Sequence, residues 1–307
     1  MHVALFVDME GAFGIWRMRQ CRTGTAEWQY GRQCLTRDVN SVVAGAFAGG
    51  AGRVTVKDIH DSGFNCIVPR LDERVRYIGG HRPSPTFFGS VSNYDLILYV
   101  AIHAGAGTEG AFFPHTHLGV FSEFLVNDKP VGEMDIYGSY LGEFGVPIGF
   151  VSGEDVAVAQ AEAALPWVES VAVDKRKEMY TAGDESRAYI EKGQQQLLDT
   201  AAEAVRNSAA MKPLVNSGPL RFQTTFREKS LADRYNTWGF EQDGAVVRWK
   251  GDNMIEGFDL LNKLTFFPKK TYRFRHLIMF LYRNYCRVRH GYFAPHPNPE
   301  GAWVGEK

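Results

Sequence analysis

The chain has 307 residues, 45% hydrophobic and 22% charged, enough to bury a sizeable core and to form two domains. Its net charge of -1 sets up no global field for nucleic acid or an anionic membrane, and no apolar run approaches the roughly 20 residues that span a bilayer. Cys21, Cys34, Cys66 and Cys286 are widely spaced with no CxxC pair, the usage of free thiols in a reducing compartment, so a cytoplasmic protein is expected.

The first element is a short apolar run, His2–Val7, the pattern of a strand buried on both faces. With no basic leader and an acid directly after it, this run reads as a strand and not a signal peptide. Val39, Val42, Val43, Ala46 and Phe47 recur at helical spacing and predict a helix over 36–49, with Thr36 as N-cap and Gly49-Gly50 as the stop. Further strands are expected at 53–57 and 95–100. Strand, helix, strand in this order implies parallel strands with a right-handed crossover. Residues 1–153 are therefore expected to form an α/β domain of three layers, α/β/α, around a largely parallel sheet. Within it, 119–126 and 131–134 resemble a hairpin around the polar turn at 127–130. Residues 154–307 are expected to form a smaller α+β domain with a C-terminal extension. Its predicted elements are a helix over 185–207, strands at Leu220–Phe226 and 245–249, and a helix over 254–264. There is no internal repeat and no low-complexity tract.

The chemistry gathers where ligands bind in open parallel sheets, at the carboxyl ends of the strands. The first strand runs into Asp8-Met9-Glu10, the second into Asp58-Ile59-His60, the third into Ala101-Ile102-His103. On an extended segment, residues two apart share a side, so Asp8 and Glu10 are expected to face together and to repel unless a cation neutralises them. Two imidazoles with two or three carboxylates suit zinc or another first-row divalent ion. Glu133, after the hairpin turn, is placed to close the site. Each residue taken singly has a plainer reading, a hydrogen-bonded loop histidine or a capping aspartate; the joint placement carries the metal reading.

Gly105-Ala106-Gly107-Thr108-Glu109-Gly110 follows the third strand and fits a dinucleotide-binding loop. Such a loop opens a helix, but Pro114 falls in what would be its first turns, and His103 occupies the strand end that a phosphate would approach. A flexible glycine loop beside a metal site fits better. In His115-Thr116-His117 the two imidazoles point opposite ways on an extended segment, so one enters the site while the other packs elsewhere. With five other ligands at hand, His115 is the favoured proton carrier. The basic, aromatic stretch 269–290 reads as an amphipathic helix packing on its own domain or on a neighbouring subunit, ahead of nucleic-acid or membrane binding.

Val7-Asp8-Met9-Glu10-Gly11, Thr36-Arg37-Asp38-Val39-Asn40, Asp58-Ile59-His60 and His103-Ala104-Gly105-Ala106-Gly107-Thr108 occur in that order, followed by His115-Thr116, Asn127 through Gly132-Glu133, Gly145-Val146-Pro147 and Ser152-Gly153-Glu154-Asp155. This ordered set resembles the DppA-type D-aminopeptidases, a family of dinuclear zinc peptidases, most strongly over the first half of the chain. The resemblance implies that Asp8 bridges two zinc ions, that Glu10 and His103 complete one metal's shell and His60 and Glu133 the other's, and that His115 is the catalytic residue. It also implies a homo-oligomeric ring, commonly of ten subunits, and removal of an N-terminal D-amino acid from short peptides or amino-acid amides. Residues 179–194 depart from the basic, Ala-rich pattern of that family, and the tail beyond Phe267 reads as an extension; both bear on substrate and assembly more than on the zinc site. Two other readings stand beside this one: a metal-containing binding or scaffold protein without catalysis, and a nucleotide-dependent enzyme using the loop at 105–110.

Overall fold

The computed structural model describes residues 1–83, 87–175, 184–216 and 218–292. In chain order, β1 (His2–Val7) leads through a helical turn, α1 (Met18–Cys21), into the long helix α2 (Ala26–Ala48), then β2 (Arg53–Asp58), β3 (Arg76–Ile78) and β4 (Leu96–Ile102). The hairpin β5 (Phe121–Val126) and β6 (Lys129–Pro130) precedes α3 (Glu133–Gly142), β7 (Ile148–Glu154), α4 (Asp155–Ala164) and β8 (Glu169–Val173). After α5 (Asp184–Arg206) come β9 (Leu220–Phe226), α6 (Lys229–Tyr235), β10 (Glu241–Asp243), β11 (Val246–Gly251), α7 (Met254–Thr265) and α8 (Arg275–Tyr292).

Six strands form one parallel sheet in the order β3-β2-β1-β4-β7-β8. The two-residue alternation of a strand divides β1 between two cores. Val3, Leu5 and Val7 pack with Val39, Val42 and Val43 of α2 and with Leu197 and Ala201 of α5. Ala4 and Phe6 face the other layer, with Ile136 and Tyr140 of α3 and Phe258 of α7. Phe88 stacks on Phe6 at 5.1 Å and meets Tyr140 at 5.1 Å and Phe258 at 5.6 Å, so one aromatic cluster ties the parallel sheet to the helices beyond it. A second, antiparallel sheet has the order β10-β11-β9-β5-β6. Its hairpin comes from mid-chain, and β8 returns to the parallel sheet after it.

Two local expectations are corrected. Helix α2 begins ten residues before the expected start at 36: Thr25 is its N-cap, the hydroxyl accepting from the Trp28 N–H at 3.0 Å. Thr36 lies inside the helix, donating to the Arg32 carbonyl at 2.7 Å and accepting from the Ile67 N–H at 2.9 Å. The first turns carry mostly polar residues around the buried Trp28, which hides their helical period. The hairpin turns through Asn127 and Asp128, both left-handed at φ 50° and 65°, but its second strand is only Lys129–Pro130. Glu133 and Met134 instead open α3, with Gly132 as its N-cap. Of the departure noted at residues 179–194, residues 179–183 lie outside the described residues and the rest falls in α5.

The strand ends that matter for function are crowded together. The Gly11 N–H donates to the Ala101 carbonyl at 3.0 Å. A β-carbon at Gly11 would collide with the Ile102 carbonyl oxygen and come within 2.6 Å of Gly153 Cα. Pairing of β4 with β7 skips a residue between Tyr99 and Ile102, where Ala101 takes φ 64°. This bulge bends the end of β4 just before His103. Gly11→Ala is expected to destabilise the protein by about 1–3 kcal/mol, the usual range for overpacking a filled space, measured as a lower urea midpoint with unchanged m.

Candidate metal centre

The chain leaves β1 to one side for β2 and β3 and returns on the other side with β4, so the order of the parallel sheet reverses between β1 and β4. Such a switch point leaves a crevice at the carboxyl ends of the two strands. Asp8 and Glu10 follow β1, His60 follows β2 and His103 follows β4; Glu133 opens α3 and His115 comes from the loop after β4. All six lie along one cavity of about 880 Å³. Asp8 and Glu10 are brought together by a turn that begins as soon as β1 ends, and not by an extended segment as expected.

The contacts are short. His60 Nδ1 lies 3.1 Å from Asp8 Oδ1 and 3.2 Å from Glu10 Oε2. His103 Nε2 lies 3.2 Å from Asp8 Oδ2 and 3.5 Å from Glu133 Oε1. Asp8 thus turns one oxygen to each imidazole. His115 stacks on His103 with ring centroids 3.8 Å apart, its Nε2 3.9 Å from Glu133 Oε1.

The far nitrogen of each ring decides what the near one offers. His60 Nε2 faces the Cys21 carbonyl at 2.9 Å, His103 Nδ1 the Ala104 carbonyl at 3.0 Å and His115 Nδ1 the Phe113 carbonyl at 3.1 Å. A carbonyl only accepts, so each of these nitrogens carries the hydrogen and donates. In the neutral rings the other nitrogen then presents a lone pair to the carboxylates. Lone pair against carboxylate oxygen is repulsive unless a proton or a metal ion lies between. Glu10 Oε2 is buried without a hydrogen-bond donor. Donor atoms opposed at 3.1–3.5 Å also match two ligands of one tetrahedral ion with bonds of about 2.0–2.2 Å. The donor set fits a first-row divalent metal.

Proton affinities carry the same message. Burial favours a neutral Asp8, but the charge and hydrogen bond of His103 and the hydrogen bond of His60 hold its carboxyl well below the usual range. Burial likewise opposes the Glu133 carboxylate, and the hydrogen bond and charge of His103 overcome it. Burial depresses His60 and His103, yet the Glu10 charge and Asp8 raise the first, and the Asp8 charge and Glu133 raise the second, to well above 6.5. Without metal, protons on these rings supply the missing positive charge.

Two further buried acids hold the loops that carry the candidate ligands. Glu154 accepts from the Ala104 and Phe112 N–H groups, each at 2.6 Å, and pins the segment between His103 and His115. Asp58 accepts from the Asn65 and Cys66 N–H groups and from the Tyr77 hydroxyl, while Asn65 donates to the His60 carbonyl at 2.7 Å. The Asp58 and Glu154 motifs are visible in the sequence, but these roles are not. His117, expected to pack away from the site, also lines the cavity: its N–H donates to Glu133 Oε1 at 2.7 Å and its ring meets the Thr265 hydroxyl at 3.0 Å. Burial lowers the pKa of His117 to about 4. The glycine loop at 105–110 runs on as irregular chain and opens no helix, so it lacks the N-terminus that a pyrophosphate would require. Sequence reasoning also missed the wall formed by Tyr282, Tyr285, Cys286 and Arg289 of α8.

Fold and cluster together define a metallo-enzyme. The chain matches the model of the D-aminopeptidase family, peptidase M55, over residues 1–263. It is 30% identical over 275 residues to a D-aminopeptidase of Bacillus subtilis (strain 168), covering 88% of this chain and 99% of that protein. Its fold is similar, with a TM-score of 0.77, to the solved Zn-dependent D-aminopeptidase DppA from Bacillus subtilis, a self-compartmentalizing protease; that structure is 24% identical, with 86% of this chain and 96% of that chain covered. The chain belongs to the D-aminopeptidase family.

A pH dependence follows from the raised imidazoles. Their stabilisation is complete below the unfolded value of about 6.5 and is lost as pH rises through the higher folded values. The depressed carboxyls of Asp8 and Glu133, and His117, act only on the acid side of that window. Chelator-treated protein is therefore expected to lose thermal stability as pH rises above about 6.5, and a bound divalent ion, replacing the protons, to remove that slope. Melting temperatures with and without metal measure this.

Proposed function

We propose that this protein is an aminopeptidase using two zinc ions to hydrolyse the N-terminal residue, a D-amino acid in particular, from short peptides or amino-acid amides. The observation that carries this reading is the convergence of three imidazole lone pairs on three buried carboxylates, an arrangement that calls for cations. Membership of the D-aminopeptidase family supports the reaction, and likeness to the Zn-dependent D-aminopeptidase DppA supports the metal.

Asp8, with an oxygen turned to each side, is the proposed bridge. Asp8, Glu10 and His103 bring ligand atoms within 4.8 Å of one another and are assigned to one ion. His60 and Glu133 are assigned to the second, the division that the family resemblance implies. Besides their contacts with Asp8, His60 also lies against Glu10 and His103 against Glu133. When bound, such ions acidify water and polarise a carbonyl. The protein's own contribution is orientation and proton transfer. His115 holds its Nδ1 hydrogen against the Phe113 carbonyl, leaving Nε2 to take a proton from the attacking water. The carbon–nitrogen bond then breaks as Nε2 returns that proton to the leaving nitrogen.

We further propose a cytoplasmic homo-oligomer, with a decamer as the expected size. Four buried, free cysteines suit a reducing compartment. Among the described residues, no helix is long and apolar enough to cross a membrane. Leu277, Phe280, Leu281 and Val288 of α8 are each more than half exposed, an apolar face suited to association. Sedimentation is expected to find no monomer at micromolar concentration.

Metal analysis of the variants tests the site. Asp8→Asn is expected to lose most of its zinc and its activity. His115→Ala is expected to keep zinc yet lose about 10²–10⁴ in kcat toward D-aminoacyl amides. Full turnover by His115→Ala excludes its proton role, and a zinc-loaded wild type inert to D- and L-aminoacyl amides is instead a binding protein.

A further inference from the structure

The family match ends at residue 263, yet the cavity lined by the candidate metal ligands is completed from beyond it. Helix α8 presents Tyr282, Tyr285, Cys286 and Arg289 to that cavity, beside the loop that adds Met18, Arg19, Arg22 and Thr23. The helix is seated and not merely nearby. Cys286 is 4% exposed, Arg283 lies over Gly80, and a guanidinium nitrogen of Arg289 stands 3.5 Å from where a β-carbon on Gly24 would be. Residues 19–24 and 289 therefore form one rim.

That rim is basic. Of its three guanidinium groups, Arg19 is paired with Glu27 at 3.2 Å. Among the described residues, no carboxylate lies within 4.0 Å of the Arg22 or Arg289 guanidinium. The rim's own acid, Asp61, accepts a hydrogen bond from the Thr23 hydroxyl. The cavity lining thus joins buried carboxylates and imidazoles to two guanidinium groups that have no carboxylate partner among the described residues, Arg289 lying over the Tyr285 ring at 6.0 Å. A short peptide has the complementary groups, an ammonium at its N-terminus and a carboxylate at its C-terminus. A cavity of about 880 Å³ is of the size that encloses small ligands.

We propose that Arg289, assisted by Arg22, binds the C-terminal carboxylate of the substrate, making this enzyme selective for short peptides with a free carboxylate over amides and blocked or longer chains. The inference rests on the aminopeptidase reading and adds the substrate class. A guanidinium holds a carboxylate through paired N–H donors, and an amide in its place leaves those donors unmatched. The subsite acts in binding, so it governs KM and leaves the bond-breaking step alone.

The test compares D-alanyl-D-alanine with its C-terminal amide in the zinc-loaded enzyme and in Arg289→Ala and Arg289→Lys. Arg289 is solvent-exposed, so its replacement leaves the fold intact. Arg289→Ala is expected to raise KM for the free peptide by about ten- to a hundred-fold, with kcat and the amide's kinetics little changed, and Arg289→Lys to recover part of the loss. A second readout is calorimetric binding of the non-hydrolysable analogue, with CH2–NH in place of the peptide bond, as free acid and as amide. Weakening of the acid alone supports the subsite. Equal weakening of acid and amide, or none, overturns it. If wild type hydrolyses neither substrate, the aminopeptidase reading fails, and the calorimetric comparison still decides the subsite.

Discussion

Three largely buried carboxylates cannot crowd into one corner of a cavity without positive charge among them. That constraint organises this molecule around Asp8, Glu10 and Glu133. Burial penalises each charge, and mutual repulsion adds to the penalty. His60 and His103 supply compensation as imidazolium ions when metal is absent. Divalent ions supply it better, because each brings two charges and accepts lone pairs from oxygen and nitrogen alike. A fold that placed these residues together without such a partner would pay in stability for nothing. The parallel sheet makes the placement possible by reversing its order between β1 and β4.

The surroundings of the cluster matter as much as its members. Backbone carbonyls of Cys21, Ala104 and Phe113 each take the hydrogen of one ring nitrogen, so the opposite nitrogen of every imidazole is aimed before any ligand arrives. Asp58 and Glu154 are buried acids of a different kind. Their oxygens are occupied by N–H and O–H donors, which makes them loop anchors, whereas Glu10 Oε2 has no donor. The distinction between an acid awaiting a metal and an acid already satisfied is one of hydrogen bonding, not of residue type.

Helix α8 gives the cavity a wall drawn from outside the family-wide region. One side of the helix meets the rim through Tyr282, Tyr285, Cys286 and Arg289; the other leaves Leu277, Phe280, Leu281 and Val288 exposed. The basic, aromatic composition of 269–290 thus has two uses, charge toward the cavity and apolar surface away from it. The proposed carboxylate subsite and the proposed association face thus share one element, while the candidate metal ligands lie at the ends of the parallel strands and on α3.

Much of this was legible in the chain. Apolar runs marked β1, β2 and β4, and polar residues directly after them marked the strand ends, because a buried parallel strand needs apolar residues on both faces and changes character where it leaves the sheet. The six residues that meet in the cavity could be named from that rule and from the order of the motifs. What local sequence did not carry were properties of contacts between distant segments. The start of α2 at Thr25 was hidden by polar residues on its exposed side. The second strand of the hairpin shrank to two residues because Glu133 begins a helix that packs elsewhere. The roles of Asp58, Glu154 and His117, and the approach of Arg289 to Gly24, depend on partners that range from a nearby loop to the far end of the chain. Residue types and periodicity determine which segments form strands and which side chains can bind a cation. Only the packed chain decides which lone pairs are left facing one another, since that depends on every donor and acceptor the fold has already matched.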